Sequence, residues 1–196
     1  MDVAVREADR RSMWTRVLET FHDDGVRALW FKILGETVYR RLLLLERPFD
    51  EPIPEIRSHL PIIFQELELT ETEEYLHYRR RTTRAEIFRR FTARHRCIVA
   101  RYQGRLVGNT WVAAANAWSH YLSREVPLGP NELYAYDSFT DPLYRGHAVA
   151  SALGAEVLHR FGRLGHRRII RAISPDNRAS LRAVSKSRYR PYGVIG

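Results

Sequence analysis

Between residues 133 and 164 the spacing of apolar side chains changes period, and that change limits the fold more than any other feature of the chain. Leu133–Thr140 (LYAYDSFT) reads as a β segment, ended by Asp141-Pro142. Val149, Leu153, Val157, Phe161 and Leu164 then recur every three or four residues. That spacing predicts a long amphipathic helix over Gly146–Leu164, stopped at Gly165. Arg168–Ile173 follows as a short strand. A strand, a crossover helix and a further strand imply a parallel pair at the centre of the sheet.

The other patterns place antiparallel elements around that pair. Ile62–Leu67 is a candidate strand. Thr70–Arg79 starts a helix, with Thr70 as N-cap and acidic residues in the first turn. Arg84–Arg94 continues as helix, with Ile87, Phe88 and Phe91 on one side. Cys97–Tyr102 and Leu106–Ala113, separated by Gln103-Gly104, form a hairpin. Ser174–Asn177 is a turn and Ala179–Ser187 a last helix. The connection from Trp111 to Glu132 is either an extra hairpin or a plain surface insertion. The fold class expected is mixed α+β.

Upstream, apolar residues recur at helical spacing over Ala8–Thr20 and again from Val26 to Leu34, and Val38–Glu46 (VYRRLLLLE) reads as a strand. Pro48, Pro52 and Pro54 mark the next stretch as a linker or surface loop. Residues 1–60 are therefore assigned to an N-terminal helical arm with an extra strand, and residues 61–196 to the main domain.

A chain of 196 residues and 23.0 kDa suits one domain plus an arm and needs no disulfides to hold a core. Its one cysteine, Cys97, excludes an internal disulfide framework and any Cys-rich zinc site. Apolar neighbours Ile98 and Val99 favour a buried structural thiol there. The N-terminus (MDVAVREADRR) lacks the apolar core of a signal peptide, and the longest aliphatic run, Leu42–Leu45, is too short to cross a bilayer. A cytoplasmic protein is expected. The formal charge is +9, and of 32 basic residues just Lys32 and Lys186 are lysines. This arginine excess reflects either a GC-rich genome or attraction to phosphate-bearing partners.

The informative segment is Asp141-Pro142-Leu143-Tyr144-Arg145-Gly146-His147-Ala148-Val149-Ala150, directly between strand and helix. Unpaired amides and the positive dipole end of a helix N-terminus can cradle phosphate. Gly146, Ala148 and Ala150 are small enough for close backbone approach, and Arg145 adds a fixed charge. The same small residues would also let the helix pack closely on the sheet.

DPLYRGHAVASALGAEVL resembles the acyl-CoA-binding motif of the GNAT acyltransferase superfamily, Arg/Gln-x-x-Gly-x-Gly/Ala after a Pro-x-Tyr turn. Arg145 matches its first position and Ala150 its last, while Ala148 stands where glycine is usual. Asn177-Arg178-Ala179-Ser180-Leu181 through Lys186-Ser187-Arg188-Tyr189 resembles the second motif, with Arg188 and Tyr189 replacing Gly-Phe. The resemblance covers roughly residues 61–192. It implies a mostly antiparallel sheet whose central parallel strands, Leu133–Thr140 and Arg168–Ile173, splay apart, with helices on both faces. It also implies that acetyl-CoA or another acyl-CoA enters the split. Pantetheine would lie near Phe139 and Thr140 and be bordered by Asn177 and Ser180. Pyrophosphate would sit on Arg145, Gly146, His147, Ala148, Val149 and Ala150. An amine would then attack the thioester directly, the oxyanion held by a strand amide. The family usually completes a final β-hairpin beyond the last motif. A shortened chain, a strand from a partner chain, or Val38–Glu46 would each account for its absence here.

The family's proton donor, a tyrosine seven residues after the asparagine, falls on Val184, and the position of its strand glutamate falls on Tyr134. A tyrosine of ordinary pKa near 10 is a poor base at neutral pH. Tyr136 and Asp137 remain as catalytic candidates acting through water, beside structural roles for all three. No metal site is expected, since His159 and His166 lack companion ligands. The cluster Arg79, Arg80, Arg81, Arg84, Arg89, Arg90, Arg94 and Arg96 is a solvated helix face or a contact for an anionic acceptor or nucleic acid. The function expected is transfer of acetyl from acetyl-CoA to an amine of a small molecule. The alternatives are a GNAT-shaped CoA-binding module without catalysis and a basic nucleic-acid-associated protein. Expected partners are the acyl-CoA and an unidentified amine, with nucleic acid disfavoured and a homodimer left open.

Overall fold

The computed structural model describes residues 41–115, 117–119 and 121–196. The helices expected at Ala8–Thr20 and Val26–Leu34, the first residues of the strand expected at Val38–Glu46, and His120 lie outside the described residues. In chain order the elements are β1 (Leu42–Pro48), β2 (Ile63–Glu66), α1 (Thr72–Tyr78), α2 (Arg84–Thr92), β3 (Arg96–Tyr102) and β4 (Arg105–Ala113). A short hairpin follows, β5 (Trp118–Ser119) with β6 (Arg124–Glu125), then β7 (Glu132–Thr140), α3 (Val149–Gly162), β8 (Arg168–Ile173), α4 (Arg178–Lys186) and β9 (Arg190–Ile195). Short 3-10 turns, Leu69–Glu71 and Pro142–Tyr144, precede α1 and α3. The first shifts the expected cap: Glu68 and Glu71 form a capping box around it, and α1 begins at Thr72.

Alternation along β3 explains the layers. Cys97 and Val99 pack with Tyr75 of α1 and Ile87 of α2, whereas Ile98 and Ala100 face the opposite side, where α3 lies. The strand order is β2-β3-β4-β7-β8-β1-β9, antiparallel throughout except for β7 beside β8. Helices therefore cover both faces of a mixed, mostly antiparallel sheet.

The parallel pair is short. Glu132, Leu133 and Tyr134 pair with Arg168, Ile169 and Ile170, and beyond them the two strands part while each keeps its outer neighbour. Among the described residues, the facing backbone edges of β7 after Tyr134 and of β8 after Ile170 thus have no strand partner. Burial of a split of this kind is tolerated when another molecule supplies the missing hydrogen bonds.

Leu42–Pro48, expected with the N-terminal arm, is an interior strand between β8 and β9. Leu43 and Leu45 pack on the α3 side with Ile169 and Ile173, and Leu44 packs with Ile170 on the other. It supplies the strand on which β9 pairs. The proline stretch after it is tied down by Arg47, fully buried, whose guanidinium donates to the carbonyls of Ser187, Pro48 and Pro52 and pairs with Glu51 at 2.7 Å. Phe49 and Ile53 add apolar contact with the core under α3.

The start of α3 is drawn tightly onto β4. A Cβ at Gly108 would lie 3.2 Å from the Ala100 Cβ and 3.3 Å from Cγ1 of Val149, so glycine permits this approach. The contact places the N-terminus of α3 beside the mouth of the split.

Candidate active site

A cavity of about 570 Å³ occupies the split between β7 and β8 and runs to the first turn of α3. Of the residues expected at the site, Tyr136, Asp137, Phe139, Thr140, Arg145, Ala150, Asn177 and Ser180 line it. Tyr134, Gly146, His147, Ala148 and Val149 do not. Val149 is buried against Ala100 and Val107, so it can offer a ligand its backbone alone.

The loop into α3 leaves its amides open. Ala148, the N-cap, lies in the left-handed region (φ 59°) and offers no side-chain cap. Gly146 has φ 84°, and a Cβ there would meet nothing within 4 Å. Asp141 accepts from the Leu143 amide at 2.9 Å and shapes the preceding turn, and Arg145 folds back so that its Nε donates to the Thr140 carbonyl at 3.3 Å. The His147 carbonyl is held by the His59 amide and the Ser58 hydroxyl, both at 3.0 Å. Uncapped amides at a helix N-terminus, a left-handed small-residue turn and an arginine together suit an anionic phosphate. Across the split the Asn177 side chain accepts from the Ser180 amide at 3.0 Å and caps α4.

Asp137 sits at a bulge of β7. Pairing with β4 slips between Asn109–Phe139 and Trp111–Tyr136, and Asp137 has φ 45°. Its carboxylate is bound on both oxygens, Oδ1 by Arg79 Nη2 at 2.5 Å and Oδ2 by Arg90 Nη1 at 2.6 Å, and its carbonyl accepts from Asn109 Nδ2 at 2.7 Å. These bonds hold a left-handed aspartate in place.

Tyr136 faces a different partner. Its hydroxyl is 2.6 Å from Nδ1 of His95, whose Nε2 is 3.2 Å from the Ala115 carbonyl. A carbonyl can only accept, so Nε2 carries the proton and Nδ1 accepts from Tyr136. Burial pushes the His95 pKa below its ordinary value, opposed by the bond to Ala115 and assisted by Arg90. Burial also raises the Tyr136 pKa, with Arg90 pulling the other way. Tyr134 stacks on Tyr136 with ring centroids 5.6 Å apart, and burial pushes its pKa up to about 12.

This geometry can be compared with known proteins. The model of the acetyltransferase (GNAT) family matches residues 60–186, more than half of the chain. The chain belongs to that family. Among curated proteins, none matches it. Solved structures share the GNAT fold. A GCN5-related N-acetyltransferase from Sphaerobacter thermophilus is similar with TM-score 0.64 at 13% identity, over 85% of this chain and 54% of that one. A GNAT-family protein described as an acetyltransferase, from Novosphingobium aromaticivorans, has TM-score 0.57 at 19% identity, over 80% and 62%. Aminoglycoside N-acetyltransferase AAC(6')-Iy, solved in complex with CoA, has TM-score 0.53 at 19% identity, over 68% and 96%. The chain spans about half to three fifths of the length of the first two.

Within this GNAT domain three side chains that the sequence did not single out join the site. His95, in the turn before β3, becomes visible only once the fold brings it to Tyr136. Ser138 and Arg171 line the cavity, with Arg171 Nη1 donating to the Ser138 hydroxyl at 2.8 Å. Val184 also lines it and carries no proton. The expected basic face is partly consumed inside the protein: Arg79 and Arg90 by Asp137, Arg84 by Glu73, and Arg96 by Glu66. Cys97 is fully buried, and burial holds its thiol well above the ordinary pKa. Among the described residues no group of three His, Cys, Asp or Glu side chains could hold a metal, and no helix is long and apolar enough to cross a membrane.

Proposed function

We propose that this protein is an acyl-CoA-dependent N-acyltransferase. One observation carries the reading: the split between β7 and β8, with its unpaired strand edges, opens onto the uncapped N-terminus of α3. A pantetheine arm is an extended chain of amides and fits an unpaired strand edge near Phe139 and Thr140. The pyrophosphate fits the amides of 146–150 with Arg145, and Asn177 and Ser180 border the other wall. Acetyl is the acyl group that the family resemblance favours. The acceptor is an amine of a small molecule, and the working compartment is the cytoplasm.

Tyr136 and His95 supply the base. The amine donates a proton toward the Tyr136 oxygen as the tyrosine passes its own to Nδ1 of His95, so His95 ends protonated. The nitrogen forms a bond to the thioester carbon, the carbon–sulfur bond breaks, and the sulfur leaves as thiolate to take a proton from solvent. Val184 provides none, which makes proximity and the strand amides the larger contributions. Asp137 positions the bulge rather than exchanging a proton, because both its oxygens are engaged by guanidinium groups.

The test is thiol release from acetyl-, propionyl-, malonyl- and succinyl-CoA with a panel of amines, alongside a thermal-shift titration with CoA. CoA should raise the melting temperature by mass action, and at least one amine should accelerate thiol release. An unmoved melting temperature at saturating CoA and acyl-CoAs would sink the reading. Stabilisation by CoA without turnover on any amine would favour the second reading, a CoA-binding module, for which the apolar Val184 in the cleft speaks.

A further inference from the structure

Three arginines are buried among the described residues, Arg47, Arg90 and Arg171. Arg47 pairs with Glu51, and Arg90 with Asp137 and Glu86. Arg171 pairs with no carboxylate among the described residues. Its Nη1 is spent on the neutral Ser138 hydroxyl, its Nε is buried without a partner, and its guanidinium lies 5.5 Å from the centre of the Tyr189 ring. The residue is 7% exposed and lines the split. Leaving a guanidinium buried without a counter-charge is strongly unfavourable unless a ligand supplies one.

The surroundings repeat the signal. Ser187 Oγ and Tyr189 Oη are buried, unpartnered, and belong to residues lining the same cavity. Of these residues Arg171 and Tyr189 are neighbours, and the lining also holds one unpartnered buried acceptor, Asn109 Oδ1. The one acidic side chain in the lining, Asp137, is already held by Arg79 and Arg90.

We infer that the acyl group this protein transfers ends in a carboxylate, bound by Arg171. The inference rests on reading the cleft as an acyl-CoA site. Strand alternation says which substrate brings the anion. Ile169 and Ile173, which share the face of Arg171, pack under α3 and α4, while Tyr134 packs with Ile170 on the opposite face. Arg171 therefore stands on the side of the α3 N-terminus, where the acyl donor enters, and away from the Tyr134 side. The pyrophosphate is not the missing anion, because the α3 amides and Arg145 already provide for it at the mouth. An acetyl group offers Arg171 no charge. A dicarboxylic acid joined to CoA through one end offers a terminal carboxylate, for which the guanidinium fork is the matching shape. The transfer keeps that carboxylate intact: the amine forms an amide with the thioester carbon, CoA leaves as the thiol, and the product gains a negative charge.

Dissociation constants of the full chain decide it, measured by calorimetry for malonyl-CoA against propionyl-CoA, succinyl-CoA against butyryl-CoA, and free CoA. One or both carboxylated ligands should bind at least about tenfold tighter than the matched neutral one, the gain of a charge-assisted pair of roughly 1.4 kcal/mol. Arg171→Met should abolish that preference and Arg171→Lys should keep part of it, with free CoA binding reporting that each variant is folded. Equal binding of carboxylated and neutral acyl groups by the wild type overturns the inference while leaving the proposed function intact. So does an Arg171→Met variant that slows turnover of every acyl-CoA alike, which would assign Arg171 to the leaving thiolate. Failure of all CoA species to bind overturns the proposed function itself.

Discussion

The Tyr136 hydroxyl donates to Nδ1 of His95 across 2.6 Å, and the Ala115 carbonyl behind the ring fixes which nitrogen is free to accept. The arrangement makes a tyrosine, by itself a poor base, the outer end of a relay whose inner end is an imidazole with an open acceptor nitrogen. Tyr136→Phe and His95→Gln should each lower kcat by about 10²–10⁴-fold, the usual worth of general base assistance. The CoA dissociation constant should move little, since neither side chain belongs to the phosphate loop. Steady-state kinetics and calorimetry on the same samples check this, and near-wild-type kcat in both variants would remove the relay.

His95 also sets a pH dependence of stability. Its pKa in the folded protein lies below the ordinary 6.5, chiefly because it is buried. In the window between the folded value and 6.5 the unfolded chain binds more protons, so stability rises with pH there and is complete above it. Acidification through pH 6.5 should therefore cost wild-type stability, and the stability gap to His95→Gln should narrow as pH falls. His166 shifts in the same direction but is common to both proteins and cancels in the difference. Denaturant midpoints at several pH values measure it; a gap independent of pH would place His95 outside the titrating set.

Asp137 should behave as a positioning residue. Asp137→Ala would leave Arg90, 6% exposed, with Glu86 alone and remove what holds a left-handed backbone. The expected loss is on the order of 3 kcal/mol. Asparagine tolerates the left-handed region and can still accept from one guanidinium, so Asp137→Asn should lose less. The folded fraction should follow stability across the two variants, while kcat per folded molecule of Asp137→Asn stays near that of the wild type. A stable Asp137→Asn protein with kcat reduced at least tenfold would instead restore Asp137 as a proton-transfer group.

The backbone frame of the candidate site was readable where structure follows chain order. The strand–turn–helix at 133–164 announced the parallel pair, whereas Arg145–Ala150 and Asn177–Ser180 are assigned to the cofactor through the resemblance of their motifs to a family. What stayed hidden depends on contacts between distant segments. His95 reaches Tyr136 across 41 positions and Arg171 reaches Ser138 across 33, and neither spacing leaves a mark in the sequence. Arg171 reads in isolation as one more arginine in an arginine-rich chain. The hairpin of residues 118–125 was one of two open alternatives, because so short a pair has almost no periodicity. Leu42–Pro48 looked peripheral because a proline stretch follows it, yet Arg47 binds that stretch to the end of α4.

Ala148 offers the sharpest test of the phosphate loop. It occupies the N-cap of α3 with φ 59° and ψ 14°, where a Cβ costs roughly 1–2 kcal/mol, and it stands where the motif usually has glycine. Ala148→Gly relieves that strain but adds backbone entropy to the unfolded chain, worth about 0.5–1 kcal/mol in the opposite sense. The net gain expected is about 0.5–1 kcal/mol, or a rise in melting temperature of roughly 1–4 °C for a chain of this length. Removing the methyl also opens the approach to the first-turn amides, so CoA affinity should hold or improve. Gly146 makes a poorer probe, because at φ 84° any side chain strains the backbone whatever space surrounds it. Ala150, inside α3 and lining the cavity, supplies the opposite perturbation: Ala150→Leu keeps helical propensity while filling the space before the amides. It should weaken CoA binding by at least tenfold with the melting temperature of the free protein within a few degrees of wild type. If Ala148→Gly is stabilising and Ala150→Leu leaves CoA affinity untouched, the small residues of this turn serve helix packing and the phosphates lie elsewhere.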